Sequence, residues 1–239
     1  MKIACWSGPR NISTALMRSW SSRKDTAVLD EPFYSCYLKS TKLKHPMYEE
    51  IIKHYPSEYD DVIKIIVSEK PESSLIWYQK HMAHHILNLN NIDFILSFRN
   101  SFLIRNPKDV ILSYTKKNKL SHSKELGYSQ QYEIIKFLKK NNRPFDIIDS
   151  NILLENPERI LKKWCSNMKI DFDPKMMEWQ KGIHATDGIW AKYWYDSVIN
   201  SMGFQEKNNE MKMGLDKEFL NIYSECLDLY NEMYSFAIK

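Results

Sequence analysis

Short apolar runs alternate with amphipathic stretches along most of this chain. Residues 2–6, 26–29, 75–80, 101–104 and 146–149 read as brief strands, and the densest run, Ser101-Phe102-Leu103-Ile104, reads as a central buried one. Residues 14–22, 61–69, 128–142 and 215–238 place their apolar side chains at helical spacing instead. Asn106-Pro107 has the form of a cap followed by proline at the first helical position, and Asn156-Pro157 starts another helix. Shorter helical stretches are predicted at 81–87, at 92–98 and from Asp173-Pro174 through Trp179. Residues 35–60, interrupted by Pro46 and Pro56, read as short helices and loops.

Strands that alternate with helices across long connections predict an α/β fold, with a central, mostly parallel sheet flanked by helices on both faces. Ligands of such sheets sit at the carboxyl ends of the strands. That rule gathers residues 7–14, 30–34, 79–85 and 105–113 at one site.

Composition narrows the picture. A length of 239 residues predicts a single domain over 1–239, with 205–239 as a C-terminal helical extension. Hydrophobic residues at 43% and charged residues at 27% are those of a soluble globular protein. A net charge of +4 suits a small anionic ligand in a local pocket and is too weak for a nucleic-acid surface. The four cysteines are scattered, which predicts neither a disulfide framework nor a zinc site. With no secretory signal and no apolar run near the ~20 residues of a membrane span, the expectation is a cytoplasmic protein.

The first chemistry-bearing stretch is Ser7-Gly8-Pro9-Arg10-Asn11-Ile12-Ser13-Thr14. A strand, a tight loop and a helix aim backbone N–H groups at an anion, and Arg10, Ser13 and Thr14 add further donors. The nucleotide-triphosphate pattern Gly-x4-Gly-Lys-Ser/Thr is absent. An ordinary turn with an N-capping serine fits the same residues. Arg105-Asn106-Pro107-Lys108-Asp109 with Ser113 is more specific, because an arginine at a strand end and a serine two turns into the next helix can grip one phosphate.

This second motif resembles that of the P-loop sulfotransferases, which use 3′-phosphoadenosine 5′-phosphosulfate (PAPS). Their motif runs Arg-x-Pro-x-Asp and ends in a serine eight residues after the arginine. The resemblance gives Arg105 and Ser113 the 3′-phosphate. It makes Pro9-Arg10-Asn11-Ile12-Ser13-Thr14 the phosphosulfate loop, with Arg10 as a clamp on the 5′ side and Ser13, Thr14 and the Asn11 N–H on the 5′-phosphate. Ile12 departs from the glycine usual there, so the loop is expected to curve differently or to sit further from the sulfonate. Asn156-Pro157-Glu158-Arg159-Ile160-Leu161 is similar to a late helix of the family, and Gly188-Ile189-Trp190-Ala191-Lys192 to its Gly-x-Trp-Lys segment. Overall the chain looks most like a small subgroup with Asp-Glu-Pro-Phe-Tyr, here residues 30–34, and a late Asp-Gly-x-Trp-Ala. Some members of that subgroup are labelled aminotransferase-like, although no lysine here argues for pyridoxal phosphate.

The resemblance implies a three-layer sulfotransferase-like sandwich and a PAPS-dependent transfer of sulfonate to a small-molecule alcohol or phenol, with no metal required. Such a reaction needs a base for the acceptor hydroxyl, stabilisation of the leaving oxygen and donors on the sulfonate. Glu31 and His81 are the candidate bases, each used by some branches of the family, and Lys80 is a candidate to contact the bridging oxygen. His81, His84 and His85 supply too few ligands for a metal site. Trp190, Tyr193, Trp194 and Tyr195 read as core or pocket wall. Two other functions fit the same features. One is a P-loop kinase, which would prefer ATP with Mg²⁺. The other is an inactive nucleotide-binding relative, which Ile12 keeps open.

Overall fold

The computed structural model describes residues 1–205 and 214–239. Five strands, β1 (Lys2–Ser7), β2 (Thr26–Asp30), β3 (Ile76–Met82), β4 (Arg99–Ile104) and β5 (Phe145–Asp149), pair in the order β2-β3-β1-β4-β5. All four pairings are parallel. The sheet is therefore wholly parallel, and its connections are helical: α1 (Ser13–Ser21), α2 (Tyr34–Thr41), α3 (Tyr48–His54), α4 (Tyr59–Val67), α5 (Pro107–Tyr114) and α6 (Tyr128–Lys140). After β5 come α7 (Ser150–Glu155), α8 (Pro157–Asn167), α9 (Ala191–Trp194), α10 (Asp196–Ile199) and α11 (Leu220–Tyr234).

Strand alternation divides the core into two layers. Ile3, Cys5, Leu103 and Ile148 meet Leu16 and Trp20 of α1 and Trp164 of α8. Ala4, Trp6, Phe102 and Ile147 face the other way, into the layer that holds Ile134 of α6 and Met233 of α11. Helix α5 begins as its sequence predicts, with Asn106 Oδ1 accepting from Lys108 N at 3.0 Å and Pro107 in the first turn. Asn156 caps α8 in the same way, accepting from Arg159 N at 3.1 Å.

Three expectations change. Residues 93–97 and 174–177 form 3₁₀ turns rather than α-helices, and α7 appears where no helix is predicted. The C-terminal helix of the expected extension packs on the core. Tyr230 OH donates to Asp149 at 3.0 Å, and Ile238 N donates to Ile147 O at 2.9 Å, so α11 closes the β5 side of the core. Residues 206–213 of the predicted extension lie outside the described residues.

The third change alters the site. The predicted strand ends at Lys80, but β3 continues through His81 to Met82. Lys80 and His81 are then adjacent strand residues with opposite facings. Lys80 shares the face of Cys5, while His81 turns into the other layer. His81 is 1% exposed and stacks on Trp6 with ring centroids 4.4 Å apart. Its Nε2–H donates to Gln79 Oε1 at 3.2 Å. Burial pulls its pKa down to about 3.

Two outcomes follow from this packing. The unfolded chain protonates His81 near the ordinary value of about 6.5, whereas the folded chain holds it neutral down to about 3. The unfolded state thus binds more protons between those limits, so stability is complete above pH 6.5 and falls as the pH drops toward 3. Thermal midpoints measured from pH 7.5 to 5 should decline below 6.5, and His81→Phe should flatten that decline; an unchanged slope contradicts the assignment. Gly8 supplies the second outcome, because a Cβ there would lie 2.2 Å from the Leu126 carbonyl oxygen. Gly8→Ala should destabilise by roughly 1–3 kcal/mol in denaturant unfolding. Gly214→Ala, with nothing within 4 Å, is the control and should have little effect.

Candidate active site

The carboxyl ends of β1, β2, β3 and β4 open into one cavity of about 680 Å³, lined from all four of the predicted segments. The cavity has a cationic end and an aromatic end, with buried charges between them.

At the cationic end the β1–α1 loop is fixed from below. Asn11 Nδ2 donates to Leu103 O at 3.1 Å, and Ser150 Oγ donates to Asn11 O at 3.0 Å. Arg105 Nη1 donates to Arg10 O at 2.9 Å, so β4 holds the loop by its backbone. Arg10 and Ile12 both take left-handed backbone angles, with φ of 62° and 58°. Ile12 follows the path open to glycine, and its half-buried side chain packs on the α1–α8 layer. Among the described residues no side chain caps α1, which leaves its first-turn N–H groups beside Ser13 and Thr14 at the cavity wall. Arg10 does not stay with those hydroxyls, because its Nε donates to Ser113 Oγ at 2.9 Å. Burial and the neighbouring Arg105 lower the pKa of Arg10. Burial also lowers that of Arg105, whose enclosed Nε has no hydrogen-bond partner among the described residues. Two cations held together, each with spare donors, make a site that favours an anion.

Glu31 follows β2 with φ of 45°, and its N–H donates to Lys80 O at 2.9 Å. The Lys80 ammonium is 1% exposed and meets Asp30 Oδ1 at 2.9 Å, Glu31 Oε1 at 2.6 Å and Tyr195 OH at 2.6 Å. Its three N–H donors are thereby engaged. Burial opposes its charge, but Asp30 and Glu31 outweigh burial and raise its pKa. Asp30 also accepts from Gly188 N at 3.0 Å and from Tyr195 OH at 2.7 Å, and Trp190 Nε1 donates to Tyr195 OH at 3.0 Å. Next to this hub, Arg18 pairs with Asp187 at 2.5 Å, and burial pushes the Asp187 carboxyl up to about 6.

The aromatic end carries Tyr34, His45, His84, His85 and Trp194. Tyr34 stacks on His85 with centroids 5.1 Å apart, and its hydroxyl lies 2.9 Å from His45 Nδ1.

Of the predicted residues, Arg10, Asn11, Ser13, Thr14, Glu31, Lys80, Arg105 and Ser113 line this cavity, and His81 does not. Sequence reasoning missed Asp30, Tyr195 and the His84–His85 pair. The quoted segments 30–34 and 187–191 contained part of that signal, since Asp30 accepts from Gly188; their mutual contact is a tertiary fact.

Comparisons with known proteins bear on the fold and the family. A sulfotransferase-domain family model matches residues 1–237. Two Arabidopsis thaliana proteins, branched-chain-amino-acid aminotransferase-like proteins 2 and 1, are each 31% identical over 96% and 98% of this chain. The chain spans about 40% of the length of those relatives. The sulfotransferase domain of the Synechococcus PCC 7002 olefin synthase superposes with a TM-score of 0.64 at 14% identity, covering 100% of this chain and 96% of that one. A sulfotransferase from Alicyclobacillus acidocaldarius gives 0.56 at 10% identity, covering 98% and 96%. The five-stranded parallel sheet, the loop leading into α1 and the match along nearly the whole length lead to one family: this chain belongs to the sulfotransferase-domain family.

Proposed function

We propose that this chain transfers a sulfonate group from PAPS to a hydroxyl of a small-molecule acceptor. The observation that carries the reading is a single cavity with Arg10, Arg105 and an uncapped helix at one end and a carboxylate, Glu31, further along. Arg105 and Ser113 bind the 3′-phosphate. The first turn of α1, with Ser13 and Thr14, binds the 5′ side, and Arg10 lies between the two halves, next to Ser113. Helix N-termini and arginine forks are both suited to phosphate and sulfate oxygens.

Glu31 acts as the base. The acceptor O–H proton passes to its carboxylate, the acceptor oxygen bonds to sulfur, and the sulfur–bridging-oxygen bond breaks with its electron pair on the phosphate. The products are a sulfate ester and 3′-phosphoadenosine 5′-phosphate. Lys80 holds Glu31 through Oε1 and acts as a positioning group, because its donors are already engaged. His81 has no part in the chemistry, being sealed in the opposite layer.

Arg105→Ala should weaken 3′-phosphoadenosine 5′-phosphate binding by more than tenfold and AMP binding, through the loop that Arg105 holds, by clearly less, read by calorimetry. Equal losses for both nucleotides remove the 3′-phosphate assignment, and a preference of the unaltered protein for ATP with Mg²⁺ supports the kinase instead. Glu31→Gln should slow transfer from radiolabelled PAPS to a phenol and alcohol panel by roughly 10²–10⁴-fold. Nucleotide affinity should hold in that variant, and undiminished turnover would mean that the base lies elsewhere.

A further inference from the structure

The aromatic end of the cavity holds two imidazoles with no assigned task. His84 and His85 follow β3 in a short 3₁₀ turn, with ring centroids 4.4 Å apart. His85 is 4% exposed, and its ring stacks on Tyr34 and on Tyr37. Neither imidazole makes a hydrogen bond among the described residues, and Nδ1 of each is enclosed without a partner. Nε2 of each is not among the enclosed unpartnered atoms, and both residues line the cavity. Burial first, and neighbouring imidazoles second, hold both rings neutral at ordinary pH.

A neutral imidazole nitrogen is either a donor or an acceptor, according to tautomer, and a hydroxyl satisfies both. A carboxylate satisfies only a donor. It would also meet Glu31, whose neighbouring cation, Lys80, is already paired. The cavity's other cations, Arg10 and Arg105 together with Lys116 and Lys117, come from the opening loop, the residue after β4 and the turn after α5. Tyr34 and Trp194 add flat apolar surface, which suits an aromatic ring.

We infer that this end of the cavity receives an uncharged aromatic diol, one hydroxyl directed to Glu31 and the second hydrogen-bonded to the Nε2 atoms of His84 and His85. The inference rests on the sulfonate-transfer reading and names its acceptor class.

The test is calorimetric titration of protein saturated with 3′-phosphoadenosine 5′-phosphate, using catechol, phenol and 3,4-dihydroxybenzoate as probes. Catechol should bind roughly tenfold tighter than phenol, the scale of one net hydrogen bond, and the benzoate should bind more weakly than catechol. His84→Phe and His85→Phe, which keep a ring in the stack, should each bring catechol close to phenol while leaving the bisphosphate affinity unchanged. Catechol binding no tighter than phenol, or the benzoate binding tightest, overturns the inference. If either variant fails to fold, imidazole ¹⁵N spectra of the unaltered protein decide: catechol should move the Nε2 signals of His84 and His85 and leave that of His81 in place. Unmoved signals overturn it. Failure of the bisphosphate itself to bind would overturn the sulfonate-transfer reading first.

Discussion

A lysine ammonium held almost out of water between two carboxylates is the constraint on which the rest of the site depends. Burying Lys80, Asp30 and Glu31 together is expensive, and the attraction between them repays it only when every donor is matched. Here the match is complete at Lys80, and Asp30 gains two further donors, from Tyr195 OH and Gly188 N. Removing one member would strand a charge in a dry interior, which costs about 3–5 kcal/mol. The hub therefore joins parts of the chain that are 165 residues apart in sequence. It ties the ends of β2 and β3 to the segment that forms the far wall of the cavity.

The same hub gives the cavity an electrical direction. Asp30, Glu31 and Lys80 sum to one negative charge in their ordinary states, while Arg10 and Arg105 stand together at the other end. A ligand with several negative charges is drawn to the arginines and held off the carboxylates. In a low-dielectric cleft such a gradient orients a ligand before any close contact forms. Orientation of that kind is what an in-line transfer needs, because the reacting oxygen must approach from the side away from the phosphate.

Much of the fold was legible because it rests on local rules. Apolar runs became strands and Asn-Pro pairs became helix starts. The carboxyl-end rule then gathered the four site segments correctly from strand positions alone. The site was legible as far as short motifs reach, which covers Arg10, Ser13, Arg105 and Ser113. What failed did so for identifiable reasons. Ending β3 two residues early put His81 on a helix, whereas one more strand residue sends a side chain to the opposite face. Tyr195 does line the cavity wall as read, but the charged partners of its hydroxyl, Asp30 and Lys80, lie in segments remote in sequence. His84 and His85 were weighed only as metal ligands, and their unpartnered nitrogens became visible once the cavity was known.

Ile12 shows how far a motif can depart while its geometry survives. A β-branched residue in the left-handed region costs about 1–2 kcal/mol. Fully burying an isoleucine side chain contributes about 1.5–3 kcal/mol, and a half-buried one a part of that. The two terms are comparable, so packing of Ile12 on the α1–α8 layer offsets the strain that a glycine would avoid. The loop also has external restraints: Leu103 O and Ser150 hold Asn11, Arg105 holds the Arg10 carbonyl, and Gly8 lies against Leu126. A loop restrained from three sides does not need glycine to find its path. It needs only that the left-handed residues find contacts of their own, Ile12 on the α1–α8 layer and Arg10 on Ser113.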